Sequence, residues 1–337
     1  MKVYEVQEQF GLDNLVMADR PSPVVGPGQL KLKMRCASLN FRDLLMVQGL
    51  YNPRQSLPVI PCSDGVGEVV EVGDGVDEEW LGKRVCPIFA QGWKSGEPTK
   101  AKLKTTLGSP LDGVLAEEMV VSAESVVEVP EHLRDAEAAS LPCAAVTAWN
   151  ALVEQGGIKA GDTILTLGTG GVSTLAAQIG AMLGARVIAT SSSDEKLERI
   201  KELGADEGIN YVKDEDWQET ARKLTDGRGV DLVVEVGGAG TLQKSIRAVR
   251  IGGQISLIGV LSGAAQELNI IPLLMQNIRI QGVIVGHREM FERLNRAIAH
   301  HEMRPAVDKV FSFDEVGEAF GRMAQGAHFG KICVEVG

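Results

Sequence analysis

The segment TILTLGTGGVSTLAAQIGAMLG (163–184) gives the clearest indication of fold class in this chain. An apolar run, TILTL, leads directly into a glycine-rich turn, and a helical pattern follows the turn. A buried strand that enters such a turn and then a helix is the opening of a βαβ unit. The turn has the pattern GxGxxG with serine in the third position, and its residues are Gly168, Thr169, Gly170, Gly171, Val172 and Ser173.

Each small residue of this turn has a physical role in holding a pyrophosphate. The first glycine permits the tight turn, the second lets the backbone approach the phosphates, and a small third residue lets the helix pack on the strand. The helix N-terminus adds free N–H groups and the positive end of its dipole. A bare GxGxxG also occurs in structural turns. The flanking strand and helix favour a dinucleotide site.

Further strand and helix patterns alternate after this unit. Short apolar runs recur at 186–190, 208–210, 231–236, 254–260 and 279–285, separated by helical segments. This alternation predicts a parallel sheet with both faces covered by helices. We therefore expect an α/β, Rossmann-type, doubly wound domain over residues 126–286. Within it, the segment 135–155 has a helical pattern, with Ser140 as the expected N-cap and Pro142 in the first turn.

The remaining sequence has a different character. Residues 1–125 contain short alternating runs between Gly and Pro, which is typical of an all-β, barrel-like domain with few helices, one of them starting near Asn40. The tail, 287–337, carries two helical patterns and a last strand, and we expect it to return to this first domain. The predicted domains are 1–125 with 287–337, and 126–286.

The composition restricts partners and location. The 337 residues fit two domains, and the net charge of −11 argues against nucleic acid or an anionic membrane surface as the main partner. No apolar run reaches membrane-spanning length, and the N-terminus lacks a signal pattern. The five cysteines are widely spaced without a CxxC pair, which indicates thiols in the reducing cytoplasm.

The end of the second Rossmann strand bears on which dinucleotide is bound. NAD enzymes usually place an acid there for the ribose 2′-hydroxyl, whereas this chain has Ser191 and Ser192. Lys196 on the next helix would supply a cation for a 2′-phosphate, and Tyr211 follows the neighbouring strand. A solvated lysine and a half-buried tyrosine are the alternative. We predict NADP(H), with NAD(H) as the alternative cofactor.

Motifs along the whole chain resemble the medium-chain dehydrogenase/reductase superfamily, and within it the zinc-free branch of quinone oxidoreductases, enoyl reductases and alcohol dehydrogenase-like relatives. The resemblance implies a GroES-like β-barrel domain beside the Rossmann domain. It rests on SLNFRDLLMVQG (38–49), PCSDGVGEVVEVG (61–73), DGVLAEE (112–118), LPCAAVTAWNAL (141–152), LGTGGVS (167–173), ATSSSDEKLERIKELGAD (189–206), VDLVVEVGG (230–238) and FGKICVEV (329–336).

The resemblance implies that no catalytic zinc is bound. Zinc-dependent relatives use a Cys, the His of a GHE motif and a later Cys, and this chain has Asn40 and Ser63 at the first two positions. Only Cys143 is retained, and neutral Asn and Ser oxygens are poor zinc ligands. The segment 92–110 lacks the four cysteines of zinc-bearing relatives. Its four lysines suggest either a mobile lid or a solvated loop.

The resemblance also assigns cofactor contacts. Lys196 and Tyr211 match a pair that binds the 2′-phosphate in NADPH-dependent quinone oxidoreductases. Thr147 matches a residue beside the nicotinamide. The other residues that match loops around the cofactor are Gly237, Gly259, Val260, Val285 and Lys331.

Three polar residues are candidates for chemistry without a metal. Asn40 would donate a hydrogen bond to a developing oxyanion, Asp43 would orient Asn40 or a water, and Asp64 would relay a proton. The structural alternatives are an N-cap for Asn40, a first-turn charge for Asp43 and a turn residue for Asp64. We expect reduction of a quinone, enone or other carbonyl by NADPH. Zinc-free alcohol dehydrogenation and a nucleotide-binding protein with little turnover are the alternatives. The last parallel strand would form an edge, which favours a homodimer.

Overall fold

The computed structural model describes residues 1–337 and divides into two compact units. The first comprises Met1–Val146 and Gly286–Gly337, and the second comprises Thr147–Val285. The predicted domain boundary at 125/126 is wrong, because the first unit extends past it by a strand and a helix. Residues 126–128 form a strand that pairs with residues 85–87, and the helix that follows packs on the same sheet. The first unit therefore continues to Val146.

The chain forms fifteen strands. They are β1 Lys2–Val6, β2 Leu15–Asp19, β3 Gln29–Leu39, β4 Asp64–Val72, β5 Arg84–Pro87, β6 Glu118–Ser122, β7 Val126–Glu128, β8 Thr163–Thr166, β9 Arg186–Ser191, β10 Glu207–Asn210, β11 Val230–Glu235, β12 Val249–Leu257, β13 Arg279–Gly282, β14 Val307–Phe311 and β15 Lys331–Glu335.

Eleven α-helices accompany the strands, and none is long and apolar enough to cross a bilayer. They are α1 Phe41–Val47, α2 Lys100–Leu103, α3 Asp135–Ala139, α4 Val146–Trp149, α5 Gly171–Met182, α6 Asp194–Glu202, α7 Trp217–Lys223, α8 Leu242–Ala248, α9 Ile271–Met275, α10 Arg288–His301 and α11 Val316–Gln325.

The first unit is built on a seven-stranded sheet in the order β14-β15-β3-β4-β5-β7, with β6 paired to β3. The long strand β3 lies near its centre and buries alternate residues, including Leu30, Leu32 and Met34, as period-2 patterning requires. The tail strand β15 pairs antiparallel with β3. The predicted return of the tail to the first domain is confirmed.

The second unit is a six-stranded, wholly parallel sheet in the order β10-β9-β8-β11-β12-β13. This is the doubly wound order, so the predicted Rossmann fold is confirmed. Strand β8 lies in the middle and is buried over its whole length. Its carboxyl end, where the glycine-rich turn begins, therefore opens at the point where the strand order reverses.

The helical region that follows β7 differs from the prediction. The sequence suggested one helix with Ser140 as N-cap, but the helix begins earlier, at Asp135, and Ser140 Oγ donates back to the Ala136 carbonyl at 2.8 Å. Residues 141–145 then form a π-helical turn. Pro142 has no N–H to continue an α-helical ladder. The widened turn leaves the Cys143 N–H to a partner outside the helix.

Candidate functional site

Asn40 joins the end of β3 to the start of α1. Its backbone N–H donates to the carboxylate of Asp43 at 2.8 Å, which fixes the first turn of the helix. The N-cap alternative from the sequence is therefore correct for the backbone. The side-chain amide has other partners, both of them polar groups from distant parts of the chain.

Lys331 is the first of these partners. Its ammonium donates to the Asn40 side-chain oxygen at 2.5 Å and to the Leu39 carbonyl at 2.8 Å. The side chain is only 2% exposed, and its nitrogen lies 3.9 Å from a carboxylate oxygen of Asp64. The sequence grouped Lys331 with cofactor contacts. The structure places it among the three catalytic candidates of the first unit.

Asp64, the first residue of β4, is completely buried. One carboxylate oxygen accepts the Ser63 hydroxyl at 2.8 Å and the other accepts the Cys143 N–H at 3.0 Å. Ser63 Oγ in turn lies 3.5 Å from Asn40 Nδ2. Lys331, Asn40, Ser63 and Asp64 thus form a closed ring, which we call the polar ring. The proton-relay role predicted for Asp64 stays a prediction.

Asp43 is also completely buried, and Arg42 beside it is the residue that sequence reasoning missed. An Arg42 nitrogen lies 3.3 Å from the Asp43 carboxylate and 3.1 Å from the Leu107 carbonyl, and the guanidinium lies over the rings of Tyr51 and Phe89. Burial raises the pKa of Asp43 to about 6, although Arg42 opposes the shift. The adjacent cation and acid in Phe41-Arg42-Asp43 were the available signal.

Cys143 is buried against the same cluster. Burial, together with the Asp64 charge, raises the pKa of its thiol. A thiol held in the protonated form is a poor metal ligand, because zinc binds the thiolate. The structure contains no group of three or more His, Cys, Asp or Glu side chains arranged to hold a metal ion.

In the second unit the glycine-rich turn has the predicted form. Gly168 has φ +73°, a conformation that favours glycine, and no atom lies within 4 Å of where a Cβ would stand on Gly168 or Gly170. Gly171 and Val172 open α5, and Thr169 is buried. Ser173 Oγ donates to the Leu167 carbonyl at 2.6 Å, so the serine ties helix to strand.

The structure also brings the predicted 2′-phosphate residues to neighbouring strand ends. The Tyr211 N–H donates to the Ser191 carbonyl at 3.0 Å, and the Tyr211 side chain is 40% exposed. Ser192 is exposed, and Lys196 lies in the first turn of α6. The adjacent acid, Asp194, is engaged by Lys213 and the Asn210 amide.

Loops after β11 and β12 meet through glycines. A Cβ on Gly238 would lie 2.8 Å from the Val260 backbone, and one on Gly259 would lie 2.6 Å from the Val236 carbonyl oxygen. The Gly237 carbonyl accepts Ser262 Oγ at 2.7 Å, and Val260 is 52% exposed. Three predicted residues, Gly237, Gly259 and Val260, therefore lie together at the carboxyl ends of the parallel strands.

Glu235, at the end of β11, organises this loop and was not singled out from the sequence. It is completely buried and accepts the N–H groups of Gly237 and Gly238 at 2.8 and 3.1 Å, and the hydroxyls of Thr241 and Ser245. An acid inside the apolar run DLVVEV, directly before two glycines, was the available signal.

The other two predicted cofactor residues are buried in the second unit. Thr147 lies on α4 and is 2% exposed. Val285 ends the unit, and its carbonyl accepts the Asn150 amide at 2.9 Å. Their contacts with a nicotinamide stay predictions.

Comparisons with known proteins agree with both units. An alcohol dehydrogenase GroES-like domain model matches residues 26–131, and a zinc-binding dehydrogenase model matches residues 171–300. The chain is 40% identical to a zinc-type alcohol dehydrogenase-like protein of Schizosaccharomyces pombe, covering 99% of both chains.

Solved structures give the same result. A crystal structure of an NAD-dependent alcohol dehydrogenase is 31% identical, with all of both chains covered and a TM-score of 0.92. A 2-haloacrylate reductase is 26% identical, with 99% of both chains covered and a TM-score of 0.79.

The two units and the site therefore define an oxidoreductase of the nicotinamide-dependent type. The chain belongs to the medium-chain dehydrogenase/reductase superfamily.

Proposed function

We propose that this protein is an NADPH-dependent reductase of a quinone, enone or other carbonyl compound, and that it works without zinc. One observation carries the proposal. Asn40 stands where the resemblance places the first zinc ligand, and its side-chain oxygen accepts a hydrogen bond from the Lys331 ammonium.

The chemistry requires only positioning and polarisation. Bound NADPH supplies the hydride. Reduction then places negative charge on the substrate oxygen, and a preorganised N–H donor stabilises that charge. The partly exposed Asn40 offers such a donor in its Nδ2 group, of which one hydrogen is directed towards Ser63. Asp43, through the Asn40 backbone, holds the residue in place.

Zinc does not fit the residues present. Asn40 and Ser63 are neutral oxygen and nitrogen donors, and burial favours the protonated thiol of Cys143. The Lys331 ammonium lies 2.5 Å from Asn40 Oδ1, where it would repel a divalent cation. The words "zinc-type" in the name of the yeast relative describe that protein, and the donor set here supports a different mechanism.

Selection of NADPH is supported by the end of β9. Ser191 and Ser192 carry no charge, Tyr211 adjoins Ser191, and the acid in the first turn of α6, Asp194, is engaged by Lys213. A 2′-phosphate would thus meet little negative charge here. One similar solved structure is an NAD-dependent alcohol dehydrogenase, so NADH is the alternative cofactor to be measured.

The test is a direct assay of turnover. Stopped-flow oxidation of NADPH and NADH would be measured with a panel of quinones, enones and aldehydes, and the reverse reaction with alcohols. We expect NADPH oxidation with an activated carbonyl or alkene acceptor, unchanged by EDTA, from protein that contains less than 0.1 zinc per chain. Tight NADPH binding without turnover would indicate a binding protein, and one zinc per chain would refute the zinc-free proposal.

A homodimer is proposed from the second unit. Strand β13 pairs only with β12, and the adjoining helix α9 exposes Ile271, Leu274 and Met275, of which Leu274 is 80% exposed. An unpaired edge beside apolar side chains favours a second copy of the same edge. Light scattering should give twice the chain mass, and the double variant L274D/M275D should give the monomer.

A further inference from the structure

We propose that Lys331 is a positioning residue: its ammonium fixes the orientation of the Asn40 amide and compensates the buried charge of Asp64. This inference rests on the proposed function, because it explains how Asn40 is held as a hydrogen-bond donor. It concerns the polar ring, in which four side chains from three distant parts of the sequence meet.

The orientation of the Asn40 amide follows from donor and acceptor chemistry. A lysine ammonium has three N–H donors and no acceptor, so the Asn40 atom 2.5 Å from it must be the oxygen. The second amide atom, Nδ2, is then turned towards Ser63. Without the ammonium the two ends of the amide would be nearly equivalent in shape, and either could face the substrate.

The hydrogen bonds of Ser63 agree with this orientation of the Asn40 amide. Its hydroxyl donates to Asp64 at 2.8 Å, so its lone pairs are left to accept from Asn40 Nδ2 at 3.5 Å. All four members therefore have one consistent direction of donation, from Lys331 through Asn40 and Ser63 to Asp64. The ring leaves the second Nδ2 hydrogen of Asn40 available to a substrate oxygen.

Charge explains why a lysine is required rather than a neutral donor. Asp64 and Lys331 are 0% and 2% exposed, and their charged atoms are 3.9 Å apart. A buried carboxylate without a nearby cation is strongly disfavoured. Lys331 thus performs two tasks at once, and replacing it alone would also leave Asp64 uncompensated.

The experiment therefore uses a charge-neutral pair of substitutions. K331M keeps the length of the side chain, and the double variant K331M/D64N removes both charges together. Thermal unfolding identifies which variants fold. In the double variant we expect NADPH affinity within about 3-fold of wild type and single-turnover hydride transfer reduced about 100-fold. Adding N40D to the double variant should lower the rate by less than 3-fold, because the amide has already lost its orientation.

Two results would overturn the proposal. One is a hydride-transfer rate in K331M/D64N within 3-fold of wild type. The other is a loss of NADPH affinity large enough to explain the whole defect, which would make Lys331 a cofactor ligand.

A spectroscopic arm is independent of turnover and separates this proposal from failure of the proposed function. In protein labelled with 15N-asparagine, the Asn40 side-chain amide is assigned by its disappearance in N40D. We expect slow exchange with solvent of the Nδ2 hydrogen directed at Ser63 in wild type and at least 10-fold faster exchange in K331M/D64N. Equal exchange rates would refute the positioning role even if no acceptor were reduced.

Discussion

Two sites of the molecule are formed by different kinds of groups: the carboxyl edge of the second unit's parallel sheet, where we propose that the dinucleotide binds, and the polar ring of the first unit. The edge is formed by backbone and glycine, with open space beside Gly168 and Gly170. The ring is formed by four side chains that satisfy one another, of which three are buried and two are charged. The edge should therefore fail when bulk is added, whereas the ring should fail when a single donor or charge is removed.

The largest expected effect comes from adding bulk at the edge. Gly170 has an ordinary φ and nothing near its Cβ position, so G170V should fold normally. The added side chain would occupy the space that the pyrophosphate needs, and NADPH affinity should fall at least about 100-fold, or about 2.7 kcal/mol. Isothermal titration calorimetry measures this affinity. G321A, on the surface of α11, is the control, and an unchanged affinity in G170V would disprove the assigned phosphate site.

The ring should respond to loss of one donor. N40D keeps an acceptor for Lys331, but it has no side-chain N–H. We expect kcat to fall about 100-fold while NADPH affinity changes little. N40A should lose the same activity and also about 1–3 kcal/mol of stability, because the buried Lys331 ammonium loses an acceptor. If N40D retains more than a third of wild-type kcat, the polarising donor lies elsewhere.

A smaller effect is expected from removing the Lys196 ammonium in the first turn of α6. K196A should weaken NADPH binding about 10-fold and leave NADH binding unchanged, since only NADPH has the 2′-phosphate. K201A, on the same helix, is a matched control for the lost charge. Equal weakening of both cofactors would mean that Lys196 supports the helix rather than the phosphate.

The smallest effect concerns pH. Burial raises the pKa of Asp43 to about 6. Between about pH 4 and 6 the folded protein therefore binds more protons than the unfolded chain, which stabilises the folded state at low pH. This stabilisation is lost as the pH rises through 6. Protonation below pH 6 weakens the acceptor for the Asn40 N–H, and kcat should decline a few-fold there. D43N should show a flatter profile of both stability and kcat. An identical kcat profile in D43N would assign the titration to another group.

The same contrast explains what the sequence could predict. The Rossmann sheet and its glycine-rich turn follow from local order along the chain, so β8, the turn and α5 were placed correctly. The resemblance assigned Gly237, Gly259 and Tyr211 to the cofactor, and the structure places all three after the carboxyl ends of parallel strands. A binding site formed by backbone groups is predictable, because every chain with this fold repeats the same backbone geometry there.

The polar ring could be predicted only in part. Asn40 and Asp64 were recognised as candidates, but the partner of Asn40 is 291 residues away, and no spacing rule relates such positions. The domain boundary failed for a related reason, because the pairing of β7 with β5 is a tertiary contact. Ser140 was misplaced because the helix starts at Asp135 and widens at Pro142, a departure from regular periodicity.

The position of Lys331 in β15 has a consequence for the order in which the protein is made. Asp64 and Asn40 leave the ribosome long before Lys331 does, and at about 5–20 residues per second the interval is roughly 15–60 s. During that time the Asp64 carboxylate lacks the ammonium that lies beside it in the folded protein, so we expect it to stay hydrated rather than buried. Completion of the polar ring therefore coincides with insertion of β15 between β14 and β3, so the ring forms only after synthesis has reached Lys331.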